Sequence, residues 1–360
     1  MKICFLAGAD SIHSKKWIEY FSERGNDVHW ISSTPSIFGE LKNVKFYLIK
    51  KFPVKPLRLL FNILPVRKLI KKINPDILHA HYAGVNGVLA ALSGFHPFIL
   101  TAWGSDILVT AKSKKVKPLI KFALNKADLI TCDAEHMREA MIKLGADAEK
   151  IKIIYFGIDT EKFSPGPKDE NLTKKLGVQN NLTVISLRNL ERIYDIETLI
   201  KATSLVLKEF PKAKFIIVGK GSEEERLKNL VKSLRVEESV RFIGFIPNDD
   251  LPRYLRAADV YVSTSLSDAG IATSTAEAMA CGLPVVITNT GENEKWFEDG
   301  EGGYLIPIKN PEILAQKLIY LMKNENLRKE SGRINRRIIE ERNNYHKEMV
   351  KMEKIYKYLI

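Results

Sequence analysis

The stretch DVYVSTSLSDAGIATSTAEAMACGLPVVITN, residues 259–289, decides the fold. It opens with a short run, DVYVSTS, rich in β-branched and aromatic side chains, and closes with a second, PVVITN at 284–289. Both read as strands. Between them lie a loop of small residues and AEAMACG, whose composition is helical. Two strands joined through a helix lie parallel, and strands apolar on both faces belong to a sheet covered by helices on both sides.

The same alternation extends outward in both directions. GYLIPI (303–308) follows, and LTVISLR (182–188), KFIIVG (214–219) and VRFIGF (240–245) precede, each leading into a helix-like segment. Further upstream the turn-rich GIDTEKFSPGPKDE (157–170), with two prolines and two glycines, interrupts the pattern. Before it stand KICFLAG (2–8), DVHWISS (27–33), VKFYLI (44–49), DILHAH (76–81), PFILTAW (97–103) and LITCD (129–133). The class is α/β, with two Rossmann-like domains expected at 1–166 and 167–342. A length of 360 residues agrees with two cores rather than one. A polar helical tract runs from about Pro311 to Ile360, interrupted near Asn343 and Asn344, and its stripe of Tyr345, Met349, Met352, Ile355 and Tyr356 needs a surface to bury it.

Cys4, Cys132 and Cys281 sit in or beside apolar runs with no CxxC or Cys/His spacing, so they read as buried hydrophobes in a reducing compartment. The apolar start MKICFLAGAD is too short for a span and lacks a cleavage pattern. The expected location is cytoplasmic. Net charge is +13, and residues 1–166 hold 25 Lys/Arg against 15 Asp/Glu. Residues 42–72 carry ten Lys/Arg and no acid, interleaved with Phe52, Leu57, Leu60, Phe61, Ile63, Leu64, Leu69 and Ile70. A second acid-free stretch at 112–126 holds Lys112, Lys114, Lys115, Lys117, Lys121 and Lys126. These windows fit either a helix with a basic outer face or peripheral attachment to an anionic membrane. No nucleic-acid motif or aromatic-basic platform accompanies them, so nucleic acid is not expected as a partner.

The loop after DVYVSTS carries the most chemistry. No acidic residue follows Asp268 in Ala269, Gly270, Ile271 and Ala272, whose amides precede a helix and suit an anion such as a diphosphate. Glu277 lies within that otherwise apolar helix, where a ribose diol would satisfy a carboxylate that is costly to bury alone. Backbone pairing of Glu277 is the competing reading. Arg188, at the end of a strand, suits a diphosphate clamp, as does Arg192; the alternative is a surface pair with Glu191 or Asp195. GKGSEEER (219–226) reads mainly as a structural turn, with Ser222 and Glu225 as a capping box. In the first half, His81 ends a strand beside a glycine-containing turn and shares a strand face with His79; no further ligands stand at metal spacing. Trp103 and Asp106 follow the next strand, and Asp10, His13 and Lys16 follow the first.

EAMACGLPVV with the following TGEN, together with IIVGKGSEEERL, VRFIGFIPNDDLPRYLRAADVYVSTS and FGIDTEKFSPG, resembles glycosyltransferase family 4, retaining enzymes of the GT-B fold, nearly end to end. The resemblance implies two Rossmann-like domains facing a central cleft, with a C-terminal helix, about 343–360, crossing back to the first domain. It implies transfer of a sugar from a nucleotide-diphosphate donor to a glycan, lipid-linked or other hydroxyl acceptor, without metal or other cofactor. Glu277 matches the family's ribose-holding carboxylate. Asp268 stands one residue from the position of the family's first carboxylate. Arg188 matches the diphosphate arginine, and Arg192 stands in for a lysine that is missing here. Gly244 and Phe245 match the loop framing the nucleobase. His81 resembles the family's acceptor-side histidine, while Trp103 occupies a place where many members have histidine. Asp10, His13, Lys16, Trp103 and Asp106 complete the acceptor-side candidates. The family's ordinary substrates point to cell-surface glycan synthesis at the inner face of the membrane. Two other readings stay open: a sugar-nucleotide epimerase of the same architecture, and a non-catalytic homologue that binds anionic surfaces or nucleic acid.

Overall fold

The structure, a computed structural model, describes residues 1–49, 58–268 and 270–360, with residue 58 described by its backbone alone. Ala269 and the part of the basic window at 50–57, including Phe52 and Leu57, lie outside the described residues. The chain forms two units, Met1–Phe156 with His346–Ile360, and Gly157–Tyr345.

The first unit is a seven-stranded sheet of β1 (Lys2–Leu6), β2 (Asp27–Ser32), β3 (Val44–Leu48), β4 (Ile77–His81), β5 (Phe98–Thr101), β6 (Leu129–Cys132) and β7 (Ile151–Ile153), in the order β3-β2-β1-β4-β5-β6-β7. Every pairing is parallel. Side chains alternate between two buried faces, as a sheet covered on both sides requires. Cys4, Leu6, Leu78, Ala80 and Leu100 pack into one apolar layer with Val88, Leu89, Ile120 and Met137. Phe5, His79 and His81 carry the opposite parity, and Trp17, Phe21 and the C-terminal helix Tyr345–Leu359 meet them there. The expected stripe on that helix is buried at Met349, Met352 and Tyr356. Tyr356 stacks on Phe21 with centroids 4.6 Å apart, and its hydroxyl lies 2.5 Å from His79 Nδ1.

The boundary expected at 166 moves to 156, because residues 157–166 belong to the second unit. Backbone pairing decides this: Ile158 N–H donates to the Asn343 carbonyl and Tyr345 N–H to that of Ile158. Gly157, at φ +71°, passes so close that a Cβ there would lie 2.3 Å from Tyr345 Cα. Prolines mark a turn in sequence; which unit owns the turn depends on partners far along the chain.

The second unit is a six-stranded parallel sheet of β8 (Thr183–Leu187), β9 (Lys214–Val218), β10 (Val240–Gly244), β11 (Val260–Ser263), β12 (Val285–Thr288) and β13 (Gly303–Ile306), in the order β10-β9-β8-β11-β12-β13. The opening stretch supplies β11, the helix Thr273–Ala280 and β12. The polar tract divides into helices Pro311–Lys323, Glu325–Arg342 and Tyr345–Leu359. Each sheet reverses its strand order once, between β1 and β4 and between β8 and β11, and ligands of open parallel sheets collect outside the carboxyl ends of the strands at such points.

Candidate functional site

At the switch point of the second unit, β8 runs out into Arg188 and β11 into Ser265 and Asp268. Arg188 Nη2 donates to Asp268 Oδ1 at 2.6 Å and to Ser265 Oγ at 3.2 Å, and Nη1 to Ser274 Oγ at 3.4 Å. The Tyr194 ring lies 4.3 Å from the guanidinium carbon. Arg188 and Asp268 are only 9% and 8% exposed, so each charge depends on the other for compensation. Arg188 Nε is buried with no hydrogen-bond partner in the structure. The sequence picks out Arg188 and Asp268 separately; their direct pairing is a tertiary result.

The loop continues through Gly270, Ile271 and Ala272 into the helix Thr273–Ala280. Its N-cap, Ala272, makes no side-chain cap, and no acid occupies the first turn. The positive end of the helix dipole is therefore not offset there by a carboxylate of its own first turn. Glu277 is 4% exposed on the same helix, and its Oε1 accepts from Asn248 Nδ2 at 3.2 Å. Asn248 comes from the loop after β10, which opens with Phe245, 70% exposed, directly after Gly244, the last residue of the strand, at φ +78°. An aromatic face left in solvent beside such a loop suits a planar ligand.

Arg192 is placed otherwise. Its guanidinium is 88% exposed and pairs with Glu223 at 3.3 Å, a carboxylate that also holds Arg226. The proposed capping box is corrected as well. Ser222 Oγ donates to Glu191 Oε2 at 2.6 Å, and Glu223 is the N-cap of the next helix without a side-chain cap bond. Glu191, reaching in from the loop after β8, takes the serine that a local box would have used.

In the first unit an aromatic cluster forms at the carboxyl ends of β4 and β5. His81 lies among Phe5, Trp17, His79 and Trp103, with centroids 4.7 to 5.6 Å from each. His81 Nδ1 lies 3.0 Å from Ser14 Oγ, while its Nε2 and Trp103 Nε1 are buried with no hydrogen-bond partner in the structure. Burial, with a smaller effect from His13, lowers the His81 pKa to about 3. Burial and Lys16 lower that of His13 to about 4. Both rings are neutral at pH 7. His79 is spent on structure, between the Tyr356 hydroxyl and Thr101 Oγ1 at 2.6 Å.

His13 stacks on Phe156 with centroids 4.6 Å apart, and Phe156 in turn on Trp103 at 5.1 Å. Phe156 carries no motif that marks it in the sequence. Asp10 is exposed and accepts from Thr34 Oγ1 at 3.3 Å; Lys16 is half-buried near His13. Asp106 is fully buried and turned into backbone, accepting amides from Ala83, Trp103 and Ile107. Burial raises its pKa against those bonds. Its carboxylate fastens the turn after β4 to the one after β5, a role that spacing alone does not reveal.

The helix Arg58–Ile73 buries Val66, Ile70 and Ile73 and leaves Leu60, Phe61 and Leu64 more than half exposed, beside exposed Arg67, Lys68, Lys71 and Lys72. All six lysines of 112–126 are exposed. Among the described residues, no helix is long and apolar enough to cross a membrane.

The family described as glycosyl transferases group 1 matches residues 168–338, and glycosyl transferase 4-like matches residues 2–134. The chain is 26% identical over 350 residues, 93% of this chain and 90% of the other, to N-acetyl-alpha-D-glucosaminyl L-malate synthase of Bacillus anthracis. It is 27% identical over 272 residues, 72% and 69%, to an Escherichia coli UDP-Gal:alpha-D-GlcNAc-diphosphoundecaprenol alpha-1,3-galactosyltransferase. Among solved structures, Anabaena Alr3699/HepE in complex with UDP superposes with a TM-score of 0.86 at 22% identity, covering all of both chains. At that identity the likeness speaks for the fold.

Proposed function

The chain belongs to the group 1, family 4-like glycosyltransferases, and from that premise we propose that it moves a sugar from a nucleotide-diphosphate donor to a hydroxyl acceptor with retention at the anomeric carbon. One observation carries the donor reading. A buried guanidinium, Arg188, stands at the β8/β11 switch point with Ser265 and Ser274, in the same unit as the acid-free loop that opens the helix of Glu277. A diphosphate would give the guanidinium, whose Nε has no hydrogen-bond partner, an anionic partner in competition with Asp268, and would accept from the helix amides. Glu277 takes the ribose, and the Gly244–Phe245 loop the base. Arg188 and the amides stabilise charge on the departing diphosphate, so the proposed reaction requires no metal.

The acceptor belongs to the first unit in this reading. His81 offers a neutral Nε2 to a sugar or acceptor hydroxyl, and a pKa near 3 makes it a poor general base at neutral pH. The acceptor proton then passes to the departing phosphate oxygen, on the face the sugar leaves. A lipid-linked or membrane-proximal glycan is the proposed acceptor. It is supported by the exposed Leu60, Phe61 and Leu64 beside basic residues, and by the relative whose name specifies a diphosphoundecaprenol-linked sugar.

A thermal-shift panel of UDP, GDP and ADP sugars tests the donor. One nucleotide family raises the melting temperature by linkage, and the anomeric configuration of the product, read by NMR, is that of the donor. No shift with any nucleotide, or an inverted product, would overturn the reading.

A further inference from the structure

Glu277 Oε1 accepts from a neutral side chain. Its partner Asn248 has two chemically different ends, and the structure fixes which end faces the carboxylate. Asn248 Oδ1 lies 2.6 Å from Lys162 Nζ. An ammonium only donates, so the amide oxygen must face Lys162 and the NH₂ must face Glu277. Lys162 is itself 27% exposed and shared with Asp249 at 2.6 Å.

The segment bearing Lys162 is tied to the helix bearing Glu277. Arg336 Nη1 donates to the carbonyls of Phe163 at 2.6 Å and Ala280 at 2.9 Å, and Nη2 to that of Thr160 at 2.9 Å. Asp159 Oδ1 caps the amides of Glu161 and Lys162 at 3.0 and 3.1 Å. Lys162 thus starts from backbone fastened to the last residue of the Glu277 helix and reaches that glutamate through Asn248. The relay joins residues from the turn after Gly157, the loop after β10 and the helix Thr273–Ala280.

We propose that Lys162 and Asn248 are positioning residues that aim the Glu277 carboxylate at a vicinal diol, the ribose of the donor nucleotide. This rests on the donor-site reading above, and the test separates the two. Binding of UDP, GDP and ADP, each with its 2′,3′-dideoxy counterpart, is measured by calorimetry on the native chain and on Asn248→Ala, Lys162→Met and Lys162→Arg.

The native protein prefers the ribonucleotide of its chosen base by about tenfold or more, the worth of one good hydrogen bond at a buried charge. Asn248→Ala and Lys162→Met bring that ratio to within about threefold, with dideoxy affinity unchanged, and Lys162→Arg retains the preference. Lys162→Met carries the test if Asn248→Ala does not fold, since Lys162 is partly exposed and its loss opens no core cavity. A native preference that survives in the folded variants overturns this inference alone. No native preference for the diol overturns the inference and the ribose assignment of Glu277 together.

Discussion

Arg188 and Asp268, eighty positions apart, form an ion pair at 2.6 Å with both side chains nearly buried, so in this structure the candidate diphosphate arginine is already occupied by a carboxylate. A donor must compete with Asp268 for that guanidinium. Asp268→Asn keeps the shape and removes the competing charge. Affinity for free nucleoside diphosphate rises about three- to tenfold in calorimetry, while the transfer rate falls because a carboxylate beside the sugar is lost. An unchanged or weaker affinity would refute the competition.

Arg188→Ala leaves Asp268 buried without a counter-charge, a change that costs roughly 3–5 kcal/mol of stability. Loss of activity in that variant is therefore ambiguous by itself. The double variant Arg188→Met/Asp268→Asn removes the pair together and recovers most of the stability in denaturant titration. It still fails to bind nucleotide, and Glu277→Ala in a folded protein binds it about tenfold or more weakly. Nucleotide affinity near native in both would remove these residues from the donor site.

Four histidines of the first unit have pKa values below the ordinary value, mainly through burial: His13 near 4, His81 near 3, His79 well below it, and His29 lowered by burial against the pull of Asp27. The unfolded chain therefore binds more protons than the native one from the ordinary histidine value of about 6.5 downward. Their contribution is fully present above that value and is lost as pH falls toward 4 and 3. Each costs about 1.4 kcal/mol per pH unit while its folded form stays neutral. His13→Asn flattens the decline between pH 6.5 and 4 in urea titrations across pH. A native stability that stays level from pH 7 to 5 would contradict the burial argument.

For the membrane proposal, Leu64→Ser and Phe61→Ser weaken sedimentation with phosphatidylglycerol vesicles about tenfold or more, because exposed apolar side chains insert at the interface. Binding of the native protein falls with salt through Arg67, Lys68, Lys71 and Lys72. Failure to sediment even at low salt would remove the membrane from the proposed partners.

Protein cations and helix amides take the leaving charge in the proposed mechanism, so EDTA leaves the transfer rate unchanged within about twofold. A chelator-sensitive rate restored by magnesium or manganese would assign part of that work to a metal.

Much of this molecule was legible because its strands are short, apolar and separated by helical spacing. Parallel pairing follows from that connection rule, and each expected strand from KICFLAG to GYLIPI lies in one of the two sheets. Arg188 and Glu277 were legible for a related reason: an arginine closing a strand and a carboxylate inside an apolar helix conflict with local preference, and such conflicts concentrate at sites. Other features were invisible. Asp106 ends up serving three backbone amides, Glu191 takes Ser222 from its expected capping box, and Phe156 packs against both His13 and Trp103. None of these partnerships has a fixed sequence spacing, because each is made by loops that meet only when the sheet order brings them together.

The sequence alone determined the α/β class, the two sheets and the loop from Asp268 to Glu277, since periodicity and backbone preference act over a few residues at a time. Tertiary structure decided what that loop does with its charges. It set Asp268 against Arg188, set Asn248 and Lys162 behind Glu277, and gave residues 157–166 to the second unit. The physical reason is range: a buried charge takes whichever partner the fold places within hydrogen-bond distance, and that partner can stand eighty or more residues away.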